Sequence, residues 1–445
     1  MVEETQAKQY DYIVIGAGSG GMASGRRAAQ FGKKVVMMEN RVIGGTCVNV
    51  GCVPKKVMFN LANFIEELQV LKGYGVEGTE GIKVDFAKFK EQRDAYVLRL
   101  NGIYEKNVAK SEIDYVKGTC KFLSDKVVEV EGVKYTAEHI LIASGSTPAQ
   151  EQFPGAELCS NSDDFFTWEQ LPARAVVIGG GYIGIELAQI LHALGVKVTL
   201  IVRSKMLRTI IDEDIHGVLE ENMKKLGLDL RLASQHESVT KNADGSLRVT
   251  LKGGDVVDAD KVLVAIGRPP NVEPLCLQNT SVQVAKGAIV VDEFQNTAVQ
   301  GVYAIGDVTN QITLTPVAIR AGRILSERLF NNRLELKMDY NNVATIIFSH
   351  PPIGTVGLSE KDAKAKHGDD NVKVFTSGGF TNMFYSPAAP EHKLSSLFKL
   401  ICLKTGEDNG KDYRHLKVIG CHGIGRGIDE MMQGISVAVT MGATK

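Results

Sequence analysis

The chain has 445 residues, of which 44% are apolar, and its 51 basic and 52 acidic residues leave a formal net charge of −1. A chain of this length exceeds the size of one hydrophobic core, so we expect two to four domains. The balanced charge excludes the strongly basic surface typical of nucleic-acid binding, and no apolar stretch approaches the roughly 20 residues that a membrane span needs.

The amino-terminal segment, residues 1–9, is short and polar and carries Glu3 and Glu4. It has neither the apolar core of a secretory signal nor the Arg-rich composition of a transit peptide. We therefore expect a cytoplasmic protein. The seven cysteines are spread thinly and do not form the framework of a secreted disulfide-rich domain. Only Cys47 and Cys52 lie close together.

Two stretches of the chain share one pattern: an apolar strand, a glycine-rich turn, a helix and a second strand. The strands are predicted near residues 12–15 and 34–39 in the first stretch and near 175–178 and 196–201 in the second. Each turn has the spacing G-x-G-x-x-G, which lets a pyrophosphate approach the backbone at the helix amino terminus. One such turn is weak evidence, but two in matched contexts favour two Rossmann-like dinucleotide-binding domains over ordinary turns.

These two turns, called here the first and the second glycine turn, supply the first candidate binding residues. The candidates are Gly16, Gly18, Ser19, Gly20 and Gly21 in the first turn, and Gly179, Gly181, Tyr182, Ile183 and Gly184 in the second.

The strands that follow the two turns end differently. The first ends at Glu39, where a carboxylate accepts hydrogen bonds from ribose hydroxyls, whereas the second is followed by Arg203 and Arg208. Guanidinium groups suit a 2′-phosphate. The first domain is therefore predicted to hold an adenine dinucleotide without that phosphate, and the second to hold NADP(H). Alternatively, either arginine is a solvated surface residue.

Further elements follow in the second half of the chain. Residues 302–307 form a short apolar strand ending at Asp307, a carboxylate placed to accept from ligand hydroxyls, and Thr315 and Pro316 open a helix. Beyond Tyr340, strands near 344–348, 372–375 and 397–402 precede a final helix at 429–441. Residues 341–445 are therefore predicted to form a separate α+β domain.

Cys47 and Cys52 lie in the segment G-G-T-C-V-N-V-G-C-V-P-K-K, residues 44–56. Four residues separate them, so one helical turn or loop brings their sulfurs into bonding range. Cys52 immediately precedes a predicted helix, and Lys55 and Lys56 follow closely; a helix amino terminus and a nearby cation both lower the pKa of a thiol. The predicted chemistry is a redox-active dithiol, and the alternatives are a zinc site or two inert buried cysteines.

The chain resembles the glutathione reductases, a family of flavoprotein disulfide reductases, over essentially its whole length. The resemblance rests on the dithiol segment, both glycine turns, I-A-S-G at 142–145, A-I-G-R at 265–268, A-I-G-D at 304–307 and F-S-H-P-P at 348–352. The form C-V-N-V-G-C-V-P-K is similar to that of glutathione, trypanothione and large thioredoxin reductases and differs from that of lipoamide dehydrogenases.

The resemblance implies an α/β chain with two Rossmann-like dinucleotide-binding domains and a carboxyl-terminal α+β dimerisation domain. The implied limits are 1–148 for an FAD-binding domain with the cysteine pair, 149–270 for an NADPH-binding domain, 271–340 for a segment that completes the FAD domain, and 341–445 for the dimerisation domain. A homodimer with FAD and NADPH as cofactors, and no metal, is expected.

Residue roles come from the same resemblance. Cys52 is implied as the thiolate against the flavin, and Cys47 as the thiol that attacks the substrate disulfide. Lys55 is implied beside the flavin, paired with Glu186, and Tyr182 is implied as the side chain that gates the nicotinamide pocket. Further implied cofactor contacts are Thr46, Gly145, Asp307 and Thr315 for FAD, and Glu186, Gly267 and Arg268 for NADPH.

Arg26, Tyr104 and Arg323 match positions that hold glutathione in that family. Oxidised glutathione is anionic, so guanidinium groups suit it. The implied function is NADPH-dependent reduction of glutathione disulfide through FAD and a Cys47–Cys52 disulfide, which maintains thiol redox balance. A related reductase of trypanothione or thioredoxin is one alternative, and a non-enzymatic flavoprotein or redox sensor is another.

Two departures from the family pattern bear on these expectations. The sequence ends at Lys445, before the H-P-T-x-x-E segment that supplies the family's His–Glu acid–base pair from the other subunit. The 445-residue chain is therefore expected to be truncated, accepting hydride from NADPH but turning over glutathione disulfide poorly. Arg203 and Arg208 are also one residue closer together than in the family, which weakens the role of Arg208 more than that of Arg203.

Overall fold

The structure is a computed structural model that describes residues 6–208, 210–406 and 413–445. The α-helices of these residues are, in chain order, α1 (Ser19–Gln30), α2 (Gly45–Asn49), α3 (Cys52–Gly73), α4 (Phe86–Lys110), α5 (Tyr182–Ala193), α6 (Glu213–Lys225), α7 (Thr315–Phe330), α8 (Glu360–His367) and α9 (Ile428–Thr440). No helix among them is both long enough and apolar enough to cross a membrane.

The β-strands of the described residues number 22. In chain order they are β1 (Lys8–Ile15), β2 (Val35–Glu39), β3 (Asp114–Lys117), β4 (Lys121–Ser124), β5 (Val127–Val130), β6 (Val133–Ile142), β7 (Ser160–Asn161), β8 (Arg174–Ile178), β9 (Lys197–Val202), β10 (Asp229–Leu232), β11 (His236–Lys241), β12 (Leu247–Leu251), β13 (Val256–Ala259), β14 (Lys261–Val264), β15 (Val284–Ala285), β16 (Ala288–Ile289), β17 (Val302–Ala304), β18 (Thr345–Ile347), β19 (Ile353–Gly357), β20 (Val372–Thr381), β21 (Ser395–Lys404) and β22 (Leu416–Ile424).

The chain divides into two compact units. The first unit consists of the residues up to Lys55, Lys90–Ala149 and Arg268–Tyr340, and the second of Lys56–Phe89, Gln150–Gly267 and Asn341–Lys445. The predicted domain limits, 1–148, 149–270, 271–340 and 341–445, remain predictions, and the division into units places Lys56–Phe89 in the second unit. The assignment of each predicted domain to one cofactor remains a prediction.

The first unit is built on a seven-stranded sheet with the order β3-β2-β1-β6-β5-β4, in which β17 also pairs with β6. Strands β1, β2, β3, β6 and β17 are parallel to their neighbours in this group. Along β1, Ile13 and Ile15 pack into one buried cluster and Tyr12 and Val14 into another. The sheet is therefore covered on both faces, as parallel sheets require.

The second unit contains a five-stranded parallel sheet with the order β10-β9-β8-β14-β7. A three-stranded antiparallel sheet, β11-β12-β13, packs its inner face against this sheet, because Val239 and Val249 share a buried cluster with Val176 and Ile201. The strand, glycine turn and helix predicted at 175–194 are present as β8 and α5.

The carboxyl-terminal part of the second unit is an antiparallel sheet with the order β18-β19-β22-β21-β20. Helix α9 covers one face of it, since Ile428, Met432 and Val439 are buried in one cluster with Val356 and Val418. This α+β region follows one sheet that is largely parallel and one that is wholly parallel, and the fold class predicted from the sequence is thereby confirmed.

Candidate active site

The first glycine turn connects β1 to α1 in the first unit. Gly16 has φ +105°, and a Cβ at this position would lie 2.3 Å from the carbonyl oxygen of Ala143 on the neighbouring strand connection. Gly18 caps α1 without any side-chain hydrogen bond to the helix. The first N–H groups of α1 are therefore available to an anion, and the backbone can approach it closely.

Glu39 lies at the end of β2 and fixes this turn. One oxygen of its carboxylate accepts from the backbone N–H of Ala17 at 2.8 Å, and the other accepts from that of Arg41, also at 2.8 Å. The side chain thus ties the first glycine turn to the chain that leaves β2. Its predicted contact with a ribose remains a prediction.

The dithiol segment packs directly against the first glycine turn. A Cβ at Gly45, whose φ is +64°, would lie 2.7 Å from the Cα of Gly18. Cys47 lies within the short helix α2, and Cys52 is the first residue of α3. The close approach of the two backbones requires glycine and places both cysteines beside the turn.

Two asparagines hold the dithiol segment in place. Asn49 donates to the carbonyl oxygens of Gly45 and Ile43 at 2.9 and 3.1 Å. Asn101 on α4 donates to Ile43 and to the Asn49 side-chain oxygen, both at 2.9 Å. The sequence motif includes Asn49, but Asn101 is distant in sequence and no local signal identified it.

In the structure Cys47 is half-buried and Cys52 is exposed. A hydrogen bond with Cys52, together with burial, raises the pKa of the Cys47 thiol far above its ordinary value. The Cys52 sulfur lies 3.9 Å from the hydroxyl of Thr315 at the start of α7. The two sulfurs are therefore close enough to interact and have unequal surroundings.

A chain of polar contacts runs from the dithiol segment to Asp307. Arg268 donates to the Thr46 hydroxyl at 3.3 Å and to the Ser146 carbonyl at 3.1 Å. The Ser146 hydroxyl in turn donates to Asp307 at 2.7 Å. Gly145, which directly precedes Ser146, has φ +72° and faces open space. Arg268, which the sequence predicts to be an NADPH contact, belongs to the first unit. Ser146 was not among the residues predicted from the sequence.

The three predicted substrate residues also lie in the first unit. Tyr104 is half-buried; burial raises the pKa of its phenol, the charge of Cys47 adds to this effect, and the Arg26 guanidinium opposes it. Tyr104 thus lies within electrostatic range of both Cys47 and Arg26. Arg26 donates to the Ser111 hydroxyl at 3.3 Å, and Arg323 is exposed on α7.

Helices α1 and α7, which carry Arg26 and Arg323, pack closely against each other. A Cβ at Gly322 would lie 2.5 Å from the carbonyl oxygen of Gly20, and the hydroxyls of Ser24 and Ser326 lie 2.8 Å apart. The packing of two small-residue faces brings two arginine-bearing helices side by side.

The second glycine turn, in the second unit, repeats the geometry of the first. Gly179 has φ +132°, and a Cβ there would lie 2.2 Å from the carbonyl oxygen of Ala265. Gly181 caps α5 without a side-chain hydrogen bond, and a Cβ at Gly184 would lie 2.2 Å from the Gly179 oxygen. Ile183 lies between these glycines in the first turn of α5, and Gly267 has φ +130° with open space beside it.

The described residues after β9, 203–208 and 210–211, are called here the arginine loop, and they carry the predicted phosphate contacts. Arg203 and Arg208 are exposed, whereas Met206, Leu207 and Ile211 are buried. Neither arginine forms an ion pair with another side chain in the part of the chain that the structure describes. Lys205, which the sequence prediction did not include, is also exposed and pairs with Glu213.

Tyr182 and Glu186 occupy different environments on α5. Tyr182 is 38% exposed, whereas Glu186 is only 4% exposed. The Glu186 carboxylate accepts from the backbone N–H of Phe348 at 2.8 Å, so it is not a solvent-facing residue. Lys55, its predicted partner, lies at the end of the first segment of the first unit, and their pairing remains a prediction.

Both turns fit a dinucleotide by the same criteria: glycines where a Cβ would strike the backbone, and a helix amino terminus without a side-chain cap. A dithiol packed against one of them adds redox chemistry. Fold and site together define a redox protein with two dinucleotide-binding sheets and one dithiol.

Family comparisons agree with this class. Residues 10–322 match the family model of the pyridine nucleotide-disulphide oxidoreductases, and residues 343–445 match the dimerisation domain of the same family. The chain therefore belongs to the pyridine nucleotide-disulphide oxidoreductases. It is a flavin-dependent oxidoreductase, and the family implies FAD and a nicotinamide nucleotide as its cofactors.

Proposed function

We propose that the protein reduces glutathione disulfide with electrons from NADPH, through FAD and the Cys47–Cys52 pair, and so maintains thiol redox balance. The observation that carries the proposal is that Tyr104 lies within electrostatic range of both Cys47 and Arg26. The half-buried Cys47 thus has a phenol, that of Tyr104, and a guanidinium group, that of Arg26, in its electrostatic surroundings. Both groups can bind an anionic peptide.

The charge of the substrate favours glutathione over the alternatives. Oxidised glutathione carries several carboxylates, and guanidinium groups bind carboxylates through paired, charge-assisted hydrogen bonds. Arg26 and Arg323 on adjacent helices provide two such groups. A cationic disulfide such as that of trypanothione would be repelled by the same pair.

The choice of NADPH depends on the arginine loop. Arg203 and Arg208 are exposed on a loop in which Met206, Leu207 and Ile211 are buried. Two guanidinium groups beyond the second strand of a dinucleotide-binding unit suit a 2′-phosphate. We assign Gly179, Gly181 and Gly184 to the pyrophosphate of this nucleotide, and Gly16, Gly18 and Gly21 to that of FAD.

The cysteines carry out the exchange with substrate. FAD, which Gly16, Gly18 and Gly21 would hold, would supply the two-electron chemistry that links the nicotinamide to the Cys47–Cys52 disulfide and converts it to a dithiol. The Cys47 sulfur, as thiolate, attacks one sulfur of the substrate, and the substrate disulfide breaks to release one thiolate. The Cys52 thiolate then attacks the Cys47 mixed disulfide, which releases the second thiolate and restores the protein disulfide.

Each released thiolate takes up one proton, so the balance is one disulfide reduced to two thiols. The Cys47 thiol must lose its proton before it attacks, because the thiolate is the nucleophile. The dimerisation domain supports a homodimer. A cytoplasmic location is part of the proposal, since disulfide reductases of this kind keep thiols reduced there.

The test compares disulfides on pre-reduced protein. The holoprotein is reduced with NADPH and mixed with glutathione disulfide, trypanothione disulfide, oxidised thioredoxin or the neutral hydroxyethyl disulfide, and the rate of thiol release is measured. We expect the highest second-order rate constant with glutathione disulfide. A higher rate with thioredoxin or trypanothione disulfide would overturn the substrate assignment.

Variants make this test residue-specific. Arg26→Gln and Arg323→Gln should each lower the rate constant for glutathione disulfide by about tenfold or more, the size of one lost charge-assisted hydrogen bond, and leave that for hydroxyethyl disulfide unchanged. Arg320→Gln, an exposed arginine on the same helix α7, is the matched control. Equal losses with both disulfides would mean that the arginines do not bind substrate.

A further inference from the structure

Lys399 is a buried cation that the proposed chemistry does not use. It lies on β21 with its side chain 1% exposed, and its ammonium contacts three carboxylates, those of Asp212 at 2.7 Å, Asp214 at 2.8 Å and Glu360 at 2.5 Å. The Asp212 side chain is also 1% exposed. Long charged side chains are rarely buried this completely unless they are paired.

The cluster is arranged so that every charge has a partner. Glu360 also pairs with Lys364 at 2.6 Å, and the backbone N–H of Glu360 donates to the second oxygen of Asp212 at 2.9 Å. Burial disfavours the charged form of Lys399, but its hydrogen bonds to the carboxylates prevail and raise its pKa. Across the sheet, the buried His422 on β22 faces Lys399 and is engaged with Thr355 and Leu358. Breaking such a cluster on one side would leave a buried charge uncompensated.

Asp212 is the residue that connects this cluster to the nucleotide site. It caps the amino terminus of α6, accepting from the backbone N–H of Asp214 at 3.2 Å. It also follows directly on the arginine loop. At its middle the loop is fixed by a hydrogen bond from Leu207 N–H to the Gly180 carbonyl at 2.8 Å. Its carboxyl-terminal end is fixed through Asp212 and Lys399.

We propose that Lys399, acting through Asp212, positions the arginine loop for a 2′-phosphate and thereby sets the preference for NADPH over NADH. The carboxyl-terminal antiparallel sheet thus takes part in cofactor selection, because it supplies the lysine. Lys399 is a positioning residue that touches no ligand itself. The inference rests on the proposed use of NADPH at Arg203 and Arg208.

The experiment uses the holoprotein under anaerobic conditions. Flavin bleaching is followed by stopped flow at increasing NADPH or NADH, and the apparent dissociation constant and limiting rate are obtained for each. Lys399→Met removes the cation at similar length. Asp212→Asn removes the carboxylate charge but keeps a good helix-capping residue, so it serves if Lys399→Met fails to fold.

For both variants we expect the dissociation constant of NADPH to rise by roughly fivefold, in the range of indirect positioning effects. That of NADH, and both limiting rates, should change by less than twofold. Asn222→Ala is the matched control: Asn222 joins α6 to the backbone of Ser395 on the same strand, at 2.9 and 2.8 Å, near the opposite end of the helix. Asn222→Ala should lower the stability of the protein without changing the ratio of the dissociation constants of NADPH and NADH.

The possible failures are distinguishable. If the wild-type protein binds NADPH and NADH equally, or if Arg203→Gln leaves its preference intact, the proposed use of NADPH is wrong. If the preference exists and Arg203→Gln removes it, but Lys399→Met and Asp212→Asn retain it, the positioning role alone is wrong. Equal weakening of both nucleotides would reduce Lys399 to a structural contact and overturn the inference.

Discussion

The two glycine turns use one backbone device, and they differ where the next strand ends. Gly16 and Gly179 both have positive φ, at +105° and +132°, and in both a Cβ would lie within 2.3 Å of a carbonyl oxygen just beyond the neighbouring strand of the same sheet. After β2, the Glu39 carboxylate is bound by two N–H groups of its own chain. After β9, Arg203 and Arg208 are exposed.

The two sites share their glycines and helix amino termini, and they differ in the residues at the end of the second strand or just after it. Under the proposed function, the glycines and the uncapped helix amino terminus would bind a pyrophosphate, which every dinucleotide has. The end of the second strand would contact the ribose. A carboxylate held in place by its own backbone is preorganised, whereas exposed guanidinium groups that form no ion pair within the described residues would gain one only when a ligand arrives. The first arrangement suits a retained cofactor, and the second suits a nucleotide that exchanges in each cycle.

The largest expected effect comes from adding one methyl group to each turn. Gly16→Ala should reduce the flavin content of purified protein to less than about a tenth, because a strained φ and a backbone clash each cost on the order of 1–3 kcal/mol. Gly179→Ala should retain flavin and weaken nicotinamide binding by a similar factor. Flavin absorbance per protein and nucleotide titration measure the two effects. Loss of flavin from Gly179→Ala would contradict the assignment of flavin to the first glycine turn and of the nicotinamide nucleotide to the second.

An intermediate effect is expected in the arginine loop. Arg203→Gln should raise the KM for NADPH roughly tenfold, the value of one charge-assisted hydrogen bond of about 1.5 kcal/mol, and leave the KM for NADH nearly unchanged. Lys205→Gln removes a positive charge from the same loop but one already paired with Glu213. Steady-state or half-reaction kinetics of both variants with NADPH and NADH measure these effects. A larger rise in the KM for NADPH in Lys205→Gln than in Arg203→Gln would contradict the role of Arg203.

The smallest effect is expected at Glu39. Glu39→Gln keeps the size of the side chain but weakens two hydrogen bonds from backbone N–H groups, and it should lower the free energy of unfolding by about 1 kcal/mol. Glu91→Gln, on the exposed face of α4, is a control that should stay within about 0.5 kcal/mol. Chemical unfolding monitored by circular dichroism measures both. Equal values for the two variants would mean that Glu39 does not hold the turn.

The sequence predicted what local patterns encode. Both strand–turn–helix units and the helix that begins at Thr315 are present, because glycine spacing and apolar periodicity act over a few residues. The cysteine pair was found the same way, since its members are four residues apart. The fold class followed from the order of these units.

Contacts between distant segments could not be predicted in this way. Arg268 follows the second dinucleotide-binding stretch in sequence, yet it reaches Thr46 and Ser146 in the first unit. Glu186 binds the backbone of Phe348, and Lys399 meets Asp212 across 187 positions. Nothing in the local composition around these residues indicates a partner, because a buried charge is defined by what the fold places beside it.

The most direct test of a flavin-dependent dithiol is to label the thiols before and after addition of the nucleotide. Oxidised holoprotein is incubated anaerobically with or without NADPH, treated with an alkylating reagent and digested, and each cysteine is quantified by mass spectrometry. We expect flavin bleaching, and labelling of Cys47 and Cys52, only after addition of NADPH. Addition of glutathione disulfide should abolish the labelling of Cys47 and Cys52 again, while labelling of Cys159 stays constant throughout. A protein without flavin, or a Cys47 and Cys52 labelling that does not respond to NADPH, would contradict the account.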